Sequence, residues 1–215
     1  MLKHILTTFY RSALASQFQL ITIVFGLTMG IVVSLLIYIY VEEESIYDKH
    51  HTNANYIYRV NTTLDMEGKV DQTAKAGLNT GEALMEFYPE IEKYTQVLNI
   101  NKQTIKINTD LYASEKVVYA DSTFFDFFTY AFIDGDPKEA LMGPNQAVIS
   151  KNIAIQYFGS ESKAMGSTMK VNNNDFHVNG IYEESISKTH IPYEIFLSLS
   201  SLPKDFLQQR NREYM

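Results

Sequence analysis

The sequence predicts a mixed α+β (α/β) extracytoplasmic domain carried behind one transmembrane helix, and three observations predict it. Residues 20–41, LITIVFGLTMGIVVSLLIYIYV, run without a single charge. Formal charge then divides around that run: Lys3 and Arg11 precede it, while all 25 acids and the other 16 bases follow, a net charge of −9. Finally, residues 42–215 alternate short runs rich in β-branched and aromatic residues with short capped helical runs, which is the pattern of a mixed sheet-and-helix domain.

A helix over 20–41 would be about 33 Å long at ~1.5 Å per residue, enough for a hydrocarbon core of roughly 30 Å. Gly26 and Gly30 form a Gly-x-x-x-Gly pair, a spacing that lets a second membrane helix approach closely. Its rival reading is glycine present without a packing role. Tyr38 and Tyr40 suit the outer interface before Glu42, Glu43 and Glu44 reach water. A short basic flank and a long acidic one predict a cytoplasmic N-terminus and an exported remainder. A cleaved secretory signal is the competing reading, but its apolar region is shorter and ends in small residues, whereas this run ends Tyr-Ile-Tyr-Val. Residues 1–19, with Leu2, Ile5, Leu6, Phe9, Leu14 and Phe18 among polar and basic positions, read as an interfacial amphipathic helix on the inner face, or as a plain basic flank.

The remaining elements follow in order. Tyr56 to Leu64 and Val70 to Lys75 read as a hairpin turning at Met66-Glu67-Gly68. Asn79 or Thr80 caps a helix over Gly81 to Tyr88 that Pro89 stops. Tyr94 to Ile100 and Thr104 to Ile107 form a second expected hairpin, and Val117 to Ala120 a short buried strand. Asp121 or Ser122 caps a helical turn whose Phe124, Phe125, Phe127 and Phe128 belong to the core, the rival being an exposed contact for a substrate or an outer-membrane partner. Residues 132–136 read as a turn, followed by a short helix from Pro137, a loop at Gly143-Pro144 and a strand over Ala147 to Ile149. Ser150 caps the helix Lys151 to Phe158, and Gly159 ends it. Thr168 to Val171 and Phe176 to Tyr182 form a hairpin through Asn172-Asn173-Asn174-Asp175, and Tyr193 to Leu199 is the last strand. The polar residues 202–215 add no second apolar span.

Chemistry is sparse. Asp48, His50 and His51 lack a fourth ligand for zinc, and Asp48 with Arg59 is at most a local ion pair competing with independently solvated charges. Asp134-Gly135-Asp136-Pro137 lacks the alternating ligands of a calcium loop and reads as a helix-capping turn. His177 and His190 stand alone, no nucleophile elbow occurs and there is no cysteine, so no catalytic residue, cofactor site or metal site is assigned. The acidic balance excludes nucleic acid as a partner.

Taken in series, YDKHHTNANYIYRV, VYADSTFFDFFTYAFIDGDPKEAL, AVISKNIAIQYFG, AMGSTMKVNNNDFHVNGIYEE and SKTHIPYEIFLSLS behind a span containing GLTMG resemble the N-terminal part of a bacterial ABC transporter permease, of the FtsX-like class with a MacB-like periplasmic core domain. The positions carrying the likeness are Tyr47, Asp48, Tyr58, Arg59, Asp121, Phe128, Gly135, Asp136, Phe158, Gly159, Gly166, Gly180 and His190. The resemblance implies four membrane helices with the large domain between the first and second, so the chain reads as truncated before further helices. It implies a porter-like proximal lobe over about 47–115 and 188–215 and an inserted lobe over about 116–187. It further implies residence in the bacterial inner membrane, an ABC ATPase subunit as partner, a second permease copy or homologue in a dimer, and a periplasmic or outer-membrane partner. The implied work is ATP-driven movement for export, lipoprotein release or signalling to cell-wall enzymes. No Gly-x-x-x-x-Gly-Lys-Ser/Thr occurs, so nucleotide chemistry falls to the partner. The alternative is a single-span receptor or sensor with an extracytoplasmic ligand-binding domain.

Overall fold

Thirty consecutive residues, Gln17–Ile46, form helix α1, about 45 Å long at ~1.5 Å per residue. In this computed structural model the described residues are 1, 4–5, 7–8, 17–46, 51–66, 69–100, 102–114, 116–184, 189 and 191–212. The chain divides into two compact units, Met1–Tyr47 and Asp48–Met215. Most of the amphipathic segment expected over 1–19 lies outside the described residues, as do Tyr47, Asp48, His50 and His190 and the Glu67-Gly68 turn. Within α1, Gln17–Glu42 is long and apolar enough to cross a membrane, and its side chains from Ile21 to Val41 are exposed. The helix therefore contains the expected 20–41 and runs past it at both ends.

The second unit is built on a nine-stranded mixed sheet among the described residues. Its strands are β3 (Val97–Leu98), β4 (Gln103–Ile107), β5 (Asp110–Ser114), β6 (Val117–Ala120), β7 (Ala131–Asp134), β8 (Gln146–Ser150), β9 (Thr168–Val171), β10 (Asn174–Glu183) and β11 (Ile195–Ser198). The order is β3-β6-β11-β8-β10-β9-β4-β5, with β7 pairing the C-terminal half of β10. Pairs β6–β11 and β8–β10 are parallel and the others antiparallel. A separate two-stranded hairpin, β1 (Thr62–Met66) with β2 (Lys69–Thr73), and helix α2 (Thr80–Phe87) precede the sheet. Strands β3 to β5 and β11 come from the stretches expected to form the proximal lobe and β6 to β10 from the inserted one, yet all share one sheet.

The three central strands are buried on both faces, and the period of two sorts their side chains. Val117, Tyr119, Ala147, Ile149, Ile195 and Leu197 face one cluster, closed by Ile153 and Ala154 of α4 (Lys151–Phe158) and Ala164 of α5 (Glu161–Ala164). Val118, Ala120, Val148 and Phe196 face a second cluster, closed by Phe124 and Phe125 of α3 (Phe124–Phe127) with Ala140, Leu141 and Tyr182. Of the aromatic run, Phe124 and Phe125 are core and Phe128 packs half-buried against them, while half-buried Phe127 joins neither cluster.

Several local expectations need correction. The first strand starts at Thr62, where its ladder with β2 begins opposite Thr73; Ala54–Tyr56 is a 3-10 turn and 57–61 join no strand. The hairpin expected between 94–100 and 104–107 does not form: β3 pairs with β6, while β4 turns through Asn108, at φ 53, into β5 and takes β9 on its other side. Residues after Pro137 make one α-turn, Ala140 N–H donating to Asp136 O at 2.9 Å, and no helix. Strand β7 occupies part of what reads as a turn, and α6 (Lys204–Arg212) forms in the polar C-terminal stretch.

Candidate functional site

The sequence offers no catalytic constellation, so the functional candidates are the faces of α1 and the joints of the second unit. On α1, a Cβ added at Gly26 or Gly30 would meet nothing within 4 Å. Thr22 and Ser34 stand one helical repeat of four before and after that pair, giving a row of small residues at positions 22, 26, 30 and 34. The hydroxyl of Thr22 donates to Phe18 O at 2.9 Å and that of Ser34 to Gly30 O at 2.8 Å, so neither needs an outside acceptor in an apolar medium. Thr22 and Ser34 escape a reading that looks for glycine alone, although the spacing of four that picks out the glycines also reaches them.

In the second unit, His51 and Thr52 are fastened to the loop after α3. Thr129 N–H donates to His51 Nδ1 at 3.0 Å, Thr52 N–H to Thr129 Oγ1 at 3.0 Å, and the His51 ring meets Phe128 edge-on with centroids 5.1 Å apart. The aromatic layer continues inward: Phe124 lies 4.8 Å from Phe128 and 4.9 Å from Phe196, and Tyr130 lies 5.0 Å from Tyr182. The Tyr182 hydroxyl donates to Tyr193 O at 2.7 Å, and burial pushes its phenol far above its usual range.

Asp121 is a structural hub. Its carboxylate accepts from Thr95 Oγ1 at 2.7 Å, Gln96 N at 3.0 Å, and Thr123 N and Oγ1 at 3.2 and 2.9 Å, joining the loop before β3 to the start of α3. It sits just ahead of α3, whose N-cap residue by backbone position is Thr123. Asp136 Oδ1 accepts from Lys138 N at 2.9 Å, closing an Asx turn. Gly159 ends α4 at φ 85, and Ser150 Oγ accepts from Ile153 N at 3.3 Å at its start. Gly135 at φ 90 leaves no room for a side chain, since a Cβ would lie 2.3 Å from Asn179 O. Gly166 has φ 73, and its N–H donates to Val178 O at 2.8 Å. Gly180 faces Phe132 at 2.7 Å from an added Cβ, where β10 slips register against β8. Phe158 packs half-buried on the first cluster.

Tyr58 is exposed, and Arg59 Nη2 donates to Ala74 O at 3.2 Å; its expected partner Asp48 lies outside the described residues. His177 Nδ1 and Thr168 Oγ1 are 2.9 Å apart on the exposed face of the sheet. Among the described residues no three His, Cys, Asp or Glu side chains gather as a metal-ligand set. Among the described residues, the family-like positions are spread over turns, caps and packing joints of the domain and do not come together in one pocket.

A family model described as the MacB-like periplasmic core domain matches residues 20–215. Among solved structures, the chain is similar to a domain of a protein described as a permease from Porphyromonas gingivalis, with 16% identity and a TM-score of 0.57 over 68% of this chain and 61% of that one. It also matches the periplasmic region of MacB from Actinobacillus actinomycetemcomitans, with 13% identity and a TM-score of 0.48 over 59% and 56%. The chain thus spans about 61% and 56% of the lengths of these two structures. No curated protein matches the chain.

Proposed function

The chain belongs to the MacB-like periplasmic core domain family, and on that premise we propose that it serves as the permease component of an ABC transporter in a bacterial inner membrane. The observation that carries the reading is a single family match running from the apolar span through the whole α/β domain. No phosphate-binding loop motif occurs in residues 1–215, and in this reading an ATPase on the cytoplasmic side drives the chain. Helix α1 passes the resulting movement outward to the domain, whose sheet is stiffened by strands buried on both faces. The small-residue row through Gly26 and Gly30 is the surface on which α1 packs against another membrane helix, of the same permease or of a second copy.

In this reading residues 1–19 lie at the inner face, 20–41 cross the membrane and 42–215 stand outside. The division into 47–115 with 188–215 and 116–187 is proposed only as an insertion pattern within the outer domain, since β11 is hydrogen-bonded to β6 and β8. Export, lipoprotein release and signalling to cell-wall enzymes share this mechanics, and any partner in the periplasm or outer membrane would meet the outer domain.

Affinity capture of the tagged chain from its native membranes tests the proposal. A stoichiometric ATPase carrying a phosphate-binding loop is the expected companion, and Gly26→Leu with Gly30→Leu should reduce its recovery. A histidine kinase or receiver protein in its place would overturn the transporter reading in favour of a receptor.

A further inference from the structure

Eight residues that closely follow α1 in sequence, His51 to Tyr58, contain no Lys, Arg, Asp or Glu, in a region whose net charge is −9. The start of this stretch is held to the domain by His51, which is buried, and by Thr52 on Thr129. Its end is uncovered: Tyr56 and Tyr58 are 83% and 84% exposed and Val60 is 42% exposed. Residues 57–61 join no strand. The cation that follows the stretch, Arg59, is turned back to the hairpin through its bond to Ala74 O.

Scattered exposed apolar residues are ordinary. Here two tyrosines close an uncharged, anchored segment, and a valine follows two positions on, past Arg59. A tyrosine has an apolar ring and a polar tip, which is why it collects where hydrocarbon meets water. Nine residues lie between Ile46 and Tyr56, a tether of ten steps and at most about 36 Å at ~3.6 Å per step, so the headgroup layer is within its reach. We propose that Tyr56, Tyr58 and Val60 lie in the headgroup layer of the bilayer crossed by α1, seating the outer domain on the lipid surface. The occupant is lipid and not a protein partner, because the segment follows a span whose own tyrosines, Tyr38 and Tyr40, mark the same interface. The uncharged stretch is also what allows an acidic domain to approach lipid phosphates. This inference rests on the reading that α1 spans a membrane.

The absence of cysteine allows a direct test with the whole chain in phosphatidylethanolamine–phosphatidylglycerol vesicles. Nitroxide labels are placed singly at Tyr58→Cys, at Leu27→Cys in α1 and at Leu111→Cys on exposed β5, with Tyr56→Cys as a second interface site and circular dichroism as the folding check. Collision with lipid-soluble oxygen is compared with collision with a water-soluble nickel chelate. The expected result is an oxygen-to-nickel ratio at position 58 or 56 several-fold above that at 111 and below that at 27. A ratio equal to that at 111 means open water, and exclusion of both relaxants means a covering protein; either overturns the inference while α1 stays embedded. Loss of the oxygen preference at position 27 would instead remove the membrane reading itself, and the inference with it.

Discussion

Replacing Phe124 with alanine distinguishes a structural aromatic cluster from a recognition patch. Phe124 is fully buried, its ring lies within 5.1 Å of those of Phe125, Phe128 and Phe196, and it closes the second core cluster under β6 and β11. Truncation of such a ring removes its transfer free energy and leaves a cavity that the doubly buried sheet cannot collapse into, a cost of about 3–5 kcal/mol. In a domain of this size about 1 kcal/mol corresponds to roughly 2–4 °C in Tm, so the shift should be about 6–20 °C. Phe127, half-buried with its ring 6.5 Å from that of Phe128, is the internal control and should cost about 1 kcal/mol, the usual size for a point substitution. The assay is thermal and denaturant unfolding followed by near-ultraviolet circular dichroism, where the tyrosines report in a chain without tryptophan. A Phe124→Ala loss no larger than that of Phe127→Ala would refute the packing argument. A stable Phe127→Ala protein that has lost a partner would show that the run is also a contact surface.

Other expectations follow from single positions. Gly135→Ala should cost more than about 1 kcal/mol, from positive φ together with a Cβ 2.3 Å from Asn179 O, and should exceed Gly159→Ala, where φ is positive but nothing lies within 4 Å. Their denaturant midpoints give the comparison. Ser150→Ala removes the N-cap of α4 and should cost about 1 kcal/mol in the same assay. Burial raises the phenols of Tyr119, Tyr157 and Tyr182, whose ordinary value is 10.0. The stability they contribute is complete below pH 10 and is lost as pH rises toward their folded values, since the unfolded chain ionises first. Denaturant midpoints at pH 8 and pH 11 should therefore diverge, and Tyr182→Phe should narrow the gap.

Elements decided by local chemistry are legible in the sequence itself. Ser150 and Gly159 bracket α4 because a side-chain acceptor and a left-handed cap need no distant help. Asn172 and Asn173, at φ 45 and 77, make the β9–β10 turn by the same local logic. The uninterrupted apolar run Val117 to Ala120 marks a strand buried on both faces.

What depends on distant partners is not legible there. Val97 and Leu98 look like one arm of a hairpin with Thr104 to Ile107, but parallel β11 holds β6 in place beside them. Strand β5, Asp-Leu-Tyr-Ala-Ser, is an edge strand with mostly exposed side chains, so it carries little apolar pattern. Strand β7 has a place because the ladder of β9 with β10 stops at His177 and leaves Ile181 to Glu183 open to a second partner on that edge. The candidate functional positions stand out as residues, while their roles as hub, cap and close-contact glycine emerge only with their neighbours. Asp121 is the clearest case, because the donors to its carboxylate come from positions 95, 96 and 123.

The central claim is that ATP turnover by a partner moves this outer domain, and one distance measurement addresses it. Spin labels at Leu111→Cys, on exposed β5 of an otherwise cysteine-free chain, are measured by pulsed dipolar spectroscopy between two copies in the captured complex, first nucleotide-free and then trapped with ATP and vanadate. The distance distribution should shift on trapping and stay put when the partner's phosphate-binding lysine is replaced. Superimposable distributions in a complex that hydrolyses ATP would contradict the claim.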